Sequence, residues 1–314
     1  MDSKDQNPSE IRTARPAWLV AAPFAFVLLW SGGYTFAKIG LQYSPPMTFL
    51  VLRFLCALAV LVPIIAVLRP SIPRRPSDWF HLAVIGFLIQ TVYFGLSYVS
   101  FYAGISAGGL AVIMAMQPIL VGLLAPRFAG EKVGLTKWIG LVLGLAGATI
   151  VIVARSEFEV TSYFGLLSAL GALTGITAAT LYERRMQVSH NALVANAIQY
   201  VVGFVTVLPV ALLFETPTIQ WTGEFLVALA YLVLGNSLIS VTLLLLMLRH
   251  GEAARVSALF FLVPPLAALI AWTLIGEAMP LAAWGGMAVA ALGVAIATGA
   301  LAQLRKGPFR AIGR

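Results

Sequence analysis

Runs of about twenty apolar residues, parted by short polar breaks, fill most of the chain. They fall at roughly 17–38, 46–68, 79–101, 106–126, 134–154, 162–183, 191–213, 224–247, 254–275 and 280–302. None alternates polar and apolar residues at the strand period, so each predicts a helix able to cross a hydrocarbon core about 30 Å thick. Residues 1–16 are polar and read as a disordered cytoplasmic tail; 303–314 read as a second tail. The first run is too long for a signal-peptide core and lacks a small-residue cleavage site, so it is expected to stay in the protein.

The pattern repeats. Ala107–Gly147 shifted by 146 residues lands on Ala253–Gly293 with no gap. Pro118 falls on Pro264, Gly130-Glu131 on Gly276-Glu277, Trp138 on Trp284, Gly140 on Gly286 and Gly147 on Gly293. A period this long marks a duplicated half rather than a solenoid unit. The expected halves are 17–154 and 162–302, five helices each.

Composition fits this picture: 60% of the residues are hydrophobic and 10% charged, where soluble domains carry about 25%. The net charge of +8 does not point to nucleic acid, because the basic residues lie in the breaks. With the amino terminus cytoplasmic, Lys38 and Arg155 alone fall on the far side and Arg53 lies within a span; the other Lys and Arg residues all fall on the cytoplasmic side. That bias places both termini in the cytoplasm. Five spans per half is an odd number, so the second half enters the membrane inverted, an architecture recurrent in secondary transporters. The expected fold is therefore all-α and integral to the membrane, with ten transmembrane helices as two inverted-topology five-helix repeats around a central cavity. Cys56 has no partner for a disulfide, and His81, His190 and His250 lack ligand spacing, so neither a metal nor a cofactor is expected.

Residues 28–63 read LLWSGGYTFAKIGLQYSPPMTFLVLRFLCALAVLVP. The Trp-Ser/Gly turn, the Pro-Pro and the Arg-Phe pair resemble EamA-type carriers of the drug/metabolite transporter superfamily. The QPIL and VPPL segments, each followed by a Gly-Glu turn and a Trp-Gly helix, are similar to the same family's paired signature. The resemblance covers about residues 17–302. It implies ten helices, a cavity between the halves, and export or facilitated passage of amino acids, metabolites or toxic compounds. The expected setting is the cytoplasmic (inner) membrane of a bacterium, with a small-molecule substrate and the lipid bilayer as partners; a monomer fits, though the sequence leaves the oligomeric state open.

Polar residues deep in a span are costly and invite a functional reading. Gln90 and Asn236 superpose under the 146-residue shift and could bond a solute from either half, or glue helices together. Trp30 and Tyr34 are four apart and share a helix face; Tyr93, Phe94, Ser97 and Tyr98 cluster likewise, as pocket lining or as packing and interfacial aromatics. Gln117 precedes Pro118, and Ser257 and Phe260 precede Pro264-Pro265, so both halves are expected to bend there, as a moving part or as a static kink. Thr177, with Thr174, offers hydroxyls to the path or to its own helix. Arg53 lies about seven residues, or roughly 10 Å, into its span. It can snorkel outward, bond helix-end carbonyls, or attract a substrate carboxylate. Glu131 and Glu277 suit helix amino termini, and Gly140, Gly144 and Gly147 suit close packing.

The leading reading is a carrier working by alternating access. No Asp or Glu sits midspan, which favours facilitated diffusion or gradient-driven export over proton coupling. A membrane-embedded enzyme would need convergent titratable groups or a metal site, and no catalytic residues are assigned. A non-transporting scaffold would need no cavity.

Overall fold

A computed structural model describes residues 18–105, 107–154, 162–186, 191–250, 253–275 and 279–300. Both tails, Arg155, His190 and the Gly276-Glu277 pair lie outside these residues. Everything described is helix or short connection. Seven helical stretches among the described residues are long and apolar enough to cross a membrane. Their outward faces carry large apolar side chains, among them Val67, Val142, Leu167, Val205 and Phe214. Water would not tolerate such a surface, and lipid requires it.

The first half opens with α1 (Trp18–Gly40) and α2 (Pro46–Leu68). Next, α3 (Pro76–Gly86), a π-helical stretch (Phe87–Gly95) and α4 (Leu96–Tyr102) run on as one rod. The apolar run 106–126 is divided between α5 (Ala107–Met114) and α6 (Gln117–Phe128), and α7 (Leu135–Ala154) closes the half. In the second half come α8 (Tyr163–Met186) and α9 (Ala192–Phe214). They lead to another rod: α10 (Gly223–Tyr231), a π stretch (Leu232–Ser240) and α11 (Val241–His250). Then follow α12 (Ala253–Ser257), a 3₁₀ stretch (Ala258–Leu262), α13 (Val263–Ile275) and α14 (Leu281–Ala297).

The prolines explain the interruptions. Pro118 has no N–H for the Met114 carbonyl, so α5 stops at Met114 and a turn intervenes before α6. Pro264 and Pro265 deny the i+4 N–H to the carbonyls of Phe260 and Phe261, and the chain tightens there into a 3₁₀ stretch in which Phe260 accepts from the Val263 N–H instead. The bend expected at Pro118 is thus a break ahead of it, with the proline in the first turn of the next helix, where it is well tolerated. At Pro264 the disturbance likewise precedes the proline.

Packing follows the duplication. α1 lies against the α10–α11 rod and α13, while α8 lies against the α3–α4 rod and α6. α2 pairs with α9, and α7 with α14. The last pair touches backbone to backbone. A methyl group added at Gly147 would lie 2.2 Å from Ala290 N, and one at Gly140 would lie 2.4 Å from Ala297 N. Gly140 also faces Gly293 and Gly147 faces Gly286, so numbers rise along one helix as they fall along the other. The pair is antiparallel.

Candidate functional site

A narrow cleft opens between α1 and the α3–α4 rod. Trp30, Gly33, Tyr34 and Ala37 line it from α1; Tyr93, Phe94, Ser97, Tyr98 and Phe101 line it from the rod; Arg53 and Asn236 close its back. The i, i+4 spacing of Trp30 and Tyr34 places both on the lining face. Trp30 stacks on Tyr93 with centroids 6.0 Å apart and meets Phe260 edge-on at 5.4 Å. Phe260 therefore supports the wall from behind. The Tyr34 and Tyr93 hydroxyls lie 3.5 Å apart, and Tyr34 meets Phe101 edge-on. The result is a narrow aromatic slot carrying two tyrosine hydroxyls; its volume of about 20 Å³ has room for about one water, so a flat apolar body enters only as its walls part.

Arg53 is fully buried. Its Nε donates to Ser237 Oγ at 2.8 Å, Nη1 to Tyr98 Oη at 3.1 Å and Nη2 to Asn236 Oδ1 at 2.6 Å. Its guanidinium carbon sits 4.3 Å from the centre of the Phe94 ring, a cation–π contact. Snorkelling is excluded by the burial, and helix-end carbonyls are not its partners. What holds it is a ring of neutral side chains, Tyr98 and Phe94 from its own half and Ser237 and Asn236 reaching across from the second. Gly33 makes this possible: a Cβ there would stand 2.6 Å from Asn236 Nδ2.

The π stretch beneath this network matters as well. Widening the helix loosens its backbone bonds, and the Ser237 carbonyl accepts from Asn196 Nδ2 at 3.0 Å and Tyr200 Oη at 2.8 Å. Gln90 occupies the matching π stretch of the first half, buried against Gly203 and away from the cleft. The two amides that superpose in sequence therefore differ in place: Asn236 reaches the cleft and Gln90 faces α9.

The remaining candidates lie elsewhere. Gln117 Nε2 donates to Thr180 Oγ1 at 3.3 Å and Ser257 Oγ at 3.2 Å, a polar knot joining α6, α8 and α12. Thr177 Oγ1 donates to the Leu173 carbonyl at 2.7 Å, and Thr174 likewise bonds its own helix, so the backbone reading holds for both. Tyr98, open to an interfacial reading, is buried on Arg53. Ser237, Asn196 and Tyr200 were not singled out by sequence, although Asn196 and Tyr200 stand four apart on one face of α9.

Around that knot, the end of the molecule opposite the cleft is fastened. Glu183 pairs with Arg249 at 3.0 Å, joining α8 to α11. Glu131 Oε1 takes Arg184 Nε at 2.8 Å and the Ala253 N–H at 2.9 Å. Glu131 thus caps α12 rather than the helix after its own turn.

Comparison with known proteins gives consistent matches. The EamA-like transporter family matches residues 17–153 and again 163–299. The uncharacterized transporter YvbV of Bacillus subtilis is 27% identical over 83% of this chain and 85% of its own length. The uncharacterized inner membrane transporter YedA of Escherichia coli K12 is 24% identical, covering 89% of this chain and 90% of its own. A solved crystal structure superposes with a TM-score of 0.75 over 90% of this chain and 97% of its own. At 22% identity that likeness carries the fold alone.

Proposed function

The chain belongs to the EamA-like transporter family and is an integral membrane protein, and from that premise we propose that it is a secondary carrier that exports small organic solutes, or lets them pass, by alternating access. The solutes fall among amino acids, metabolites and drugs. The proposed fold has ten membrane-spanning helices in two inverted five-helix repeats, with both termini on the cytoplasmic side of a bacterial inner membrane. The antiparallel contact of α7 with α14 supports it, since these helices are repeat equivalents. Family and relatives' names speak for transport rather than catalysis.

One observation carries the mechanism. α1, α10–α11 and α12–α13 form one group, and α3–α4, α6 and α8 form the other. The groups part at the cleft, which the proposed topology turns outward. They are joined at the cytoplasmic end by Gln117–Ser257, Glu183–Arg249 and Glu131 with the Ala253 amide. Access alternates when those ties break and the aromatic slot closes. Each state offers the solute one exit, and a concentration gradient suffices to drive net flux.

The test is flux into proteoliposomes across a broad metabolite panel. Asn236→Leu, checked for folding by thermal unfolding, is expected to lower flux about tenfold or more, whereas Gln90→Leu, away from the cleft, is not. A folded, reconstituted wild-type chain that carries none of the panel sinks the reading, and unchanged flux in Asn236→Leu removes that amide from the path.

A further inference from the structure

The cleft ends on a positive charge that no described residue neutralises. Ser237, Tyr98, Asn236 and the Phe94 ring surround the Arg53 guanidinium, and all are neutral. Tyr200, whose hydroxyl is given to the Ser237 carbonyl, is its other close neighbour and is neutral too. Glu131 and Glu183 lie at the fastened end, already engaged with Arg184 and Arg249. Glu215 is engaged at the amino terminus of α2, accepting from the Met47 and Thr48 amides at 2.8 and 2.7 Å. A buried cation without a counter-charge in a medium of low dielectric attracts an anion strongly, because Coulomb energy rises as the dielectric falls. The planar guanidinium also matches the two oxygens of a carboxylate.

The rest of the cleft decides what the anion is attached to. Trp30, Tyr34, Tyr93, Phe94 and Phe101 offer ring faces and edges around a slot. Among the described residues no Asp or Glu lines it, so a solute ammonium finds no ion-pair partner in that lining. One cationic side chain at the end of an aromatic slot suits a single negative charge on a flat body.

Resting on the carrier reading above, we infer that Arg53 is the anion-binding element of the transport site. The preferred solutes are aromatic monocarboxylates, favoured over zwitterionic aromatic amino acids and over aromatic cations. The solute supplies the missing counter-charge, and its ring enters among Trp30, Tyr34 and Tyr93 as those side chains part, since the slot of about 20 Å³ has room for about one water as it stands. Asn236 and Ser237, both from the second half, hold the guanidinium in place and couple the bound anion to the opposite repeat.

The experiment measures influx of radiolabelled phenylacetate into proteoliposomes holding the full chain, beside phenylalanine, phenethylamine and the uncharged phenylacetamide. Saturable phenylacetate influx, inhibited by benzoate and exceeding that of the other three about tenfold, is the expected result. Asn236→Asp supplies the sharper test. It keeps the acceptor that Arg53 uses at 2.6 Å but adds a resident carboxylate. It is expected to fold at least as well as wild type and to lose phenylacetate influx about tenfold or more. Arg53→Lys keeps the charge without the planar fork and should fall between the two. Phenylacetamide or phenethylamine carried as well as phenylacetate overturns the anion assignment and leaves the carrier reading standing. So does undiminished phenylacetate influx in a folded Asn236→Asp chain. A folded wild-type chain that moves nothing in the wider panel removes both.

Discussion

A guanidinium in mid-membrane costs about 2.5–3.5 kcal/mol on insertion scales. Arg53 offsets that cost with three side-chain acceptors and a ring face. Ser237→Ala removes the acceptor at 2.8 Å from Nε and leaves a charged donor unpaired. The expected loss is about 1.5–3 kcal/mol of stability, read as a lower unfolding midpoint in detergent. An unchanged midpoint would mean that water or Tyr200 replaces the hydroxyl. Arg53, Trp30 and Tyr34 could be picked out in the sequence because charge and i, i+4 aromatic spacing are local signals. The ring around Arg53 could not. Ser237 lies 184 residues from it, and nothing in an isolated serine says which helix it will face. Gln90 was misleading for a related reason: superposition under the repeat fixes its depth but not the neighbour it meets, here Gly203.

Among the elements, the glycine seam between α7 and α14 has the least tolerance. The closeness of its packing was legible, since Gly140, Gly144 and Gly147 recur at helical spacing. Its partner was not, because a small-residue stripe fits any other small-residue stripe. Gly147→Val would drive a branched side chain into Ala290 N and Gly286 O, where even a first carbon stands 2.2 and 2.6 Å away. Overpacking of this kind costs about 1–3 kcal/mol or more, and the clash is with backbone that cannot rotate aside. The variant is expected to give a clearly lower yield of monodisperse protein by size-exclusion chromatography, whereas Gly285→Ala, with open space around it, should not. The same limit applies to the helix breaks. Proline reveals that a carbonyl will lose its partner, but whether the chain answers with a bend, a turn or a 3₁₀ stretch depends on what packs against it.

On the scale of the whole molecule, the two groups of helices meet at one end and part at the other. Glu183→Gln keeps the size of the side chain and removes one charge of the tie to Arg249. In a Cys56→Ala chain carrying Ser257→Cys, this change is expected to raise the rate of maleimide labelling about tenfold, the factor that corresponds to about 1.4 kcal/mol. Equal rates with and without Glu183→Gln would show that the pair does not hold that end shut. The duplication and its charge bias were legible at this scale, because both are written in the order of residues. The division into groups was not, since it joins helices as distant in the sequence as α1 and α13.

The seam restricts how such a molecule can move. Where two backbones leave no room for a methyl group, neither helix can slide past the other by a turn without its next side chains colliding. Axial ratcheting is therefore closed to this pair, while a small change of tilt about the glycines costs little. In the proposed alternating-access cycle α7 and α14 would then serve as a fixed fulcrum, with the remaining helices swinging about it like the arms of a balance.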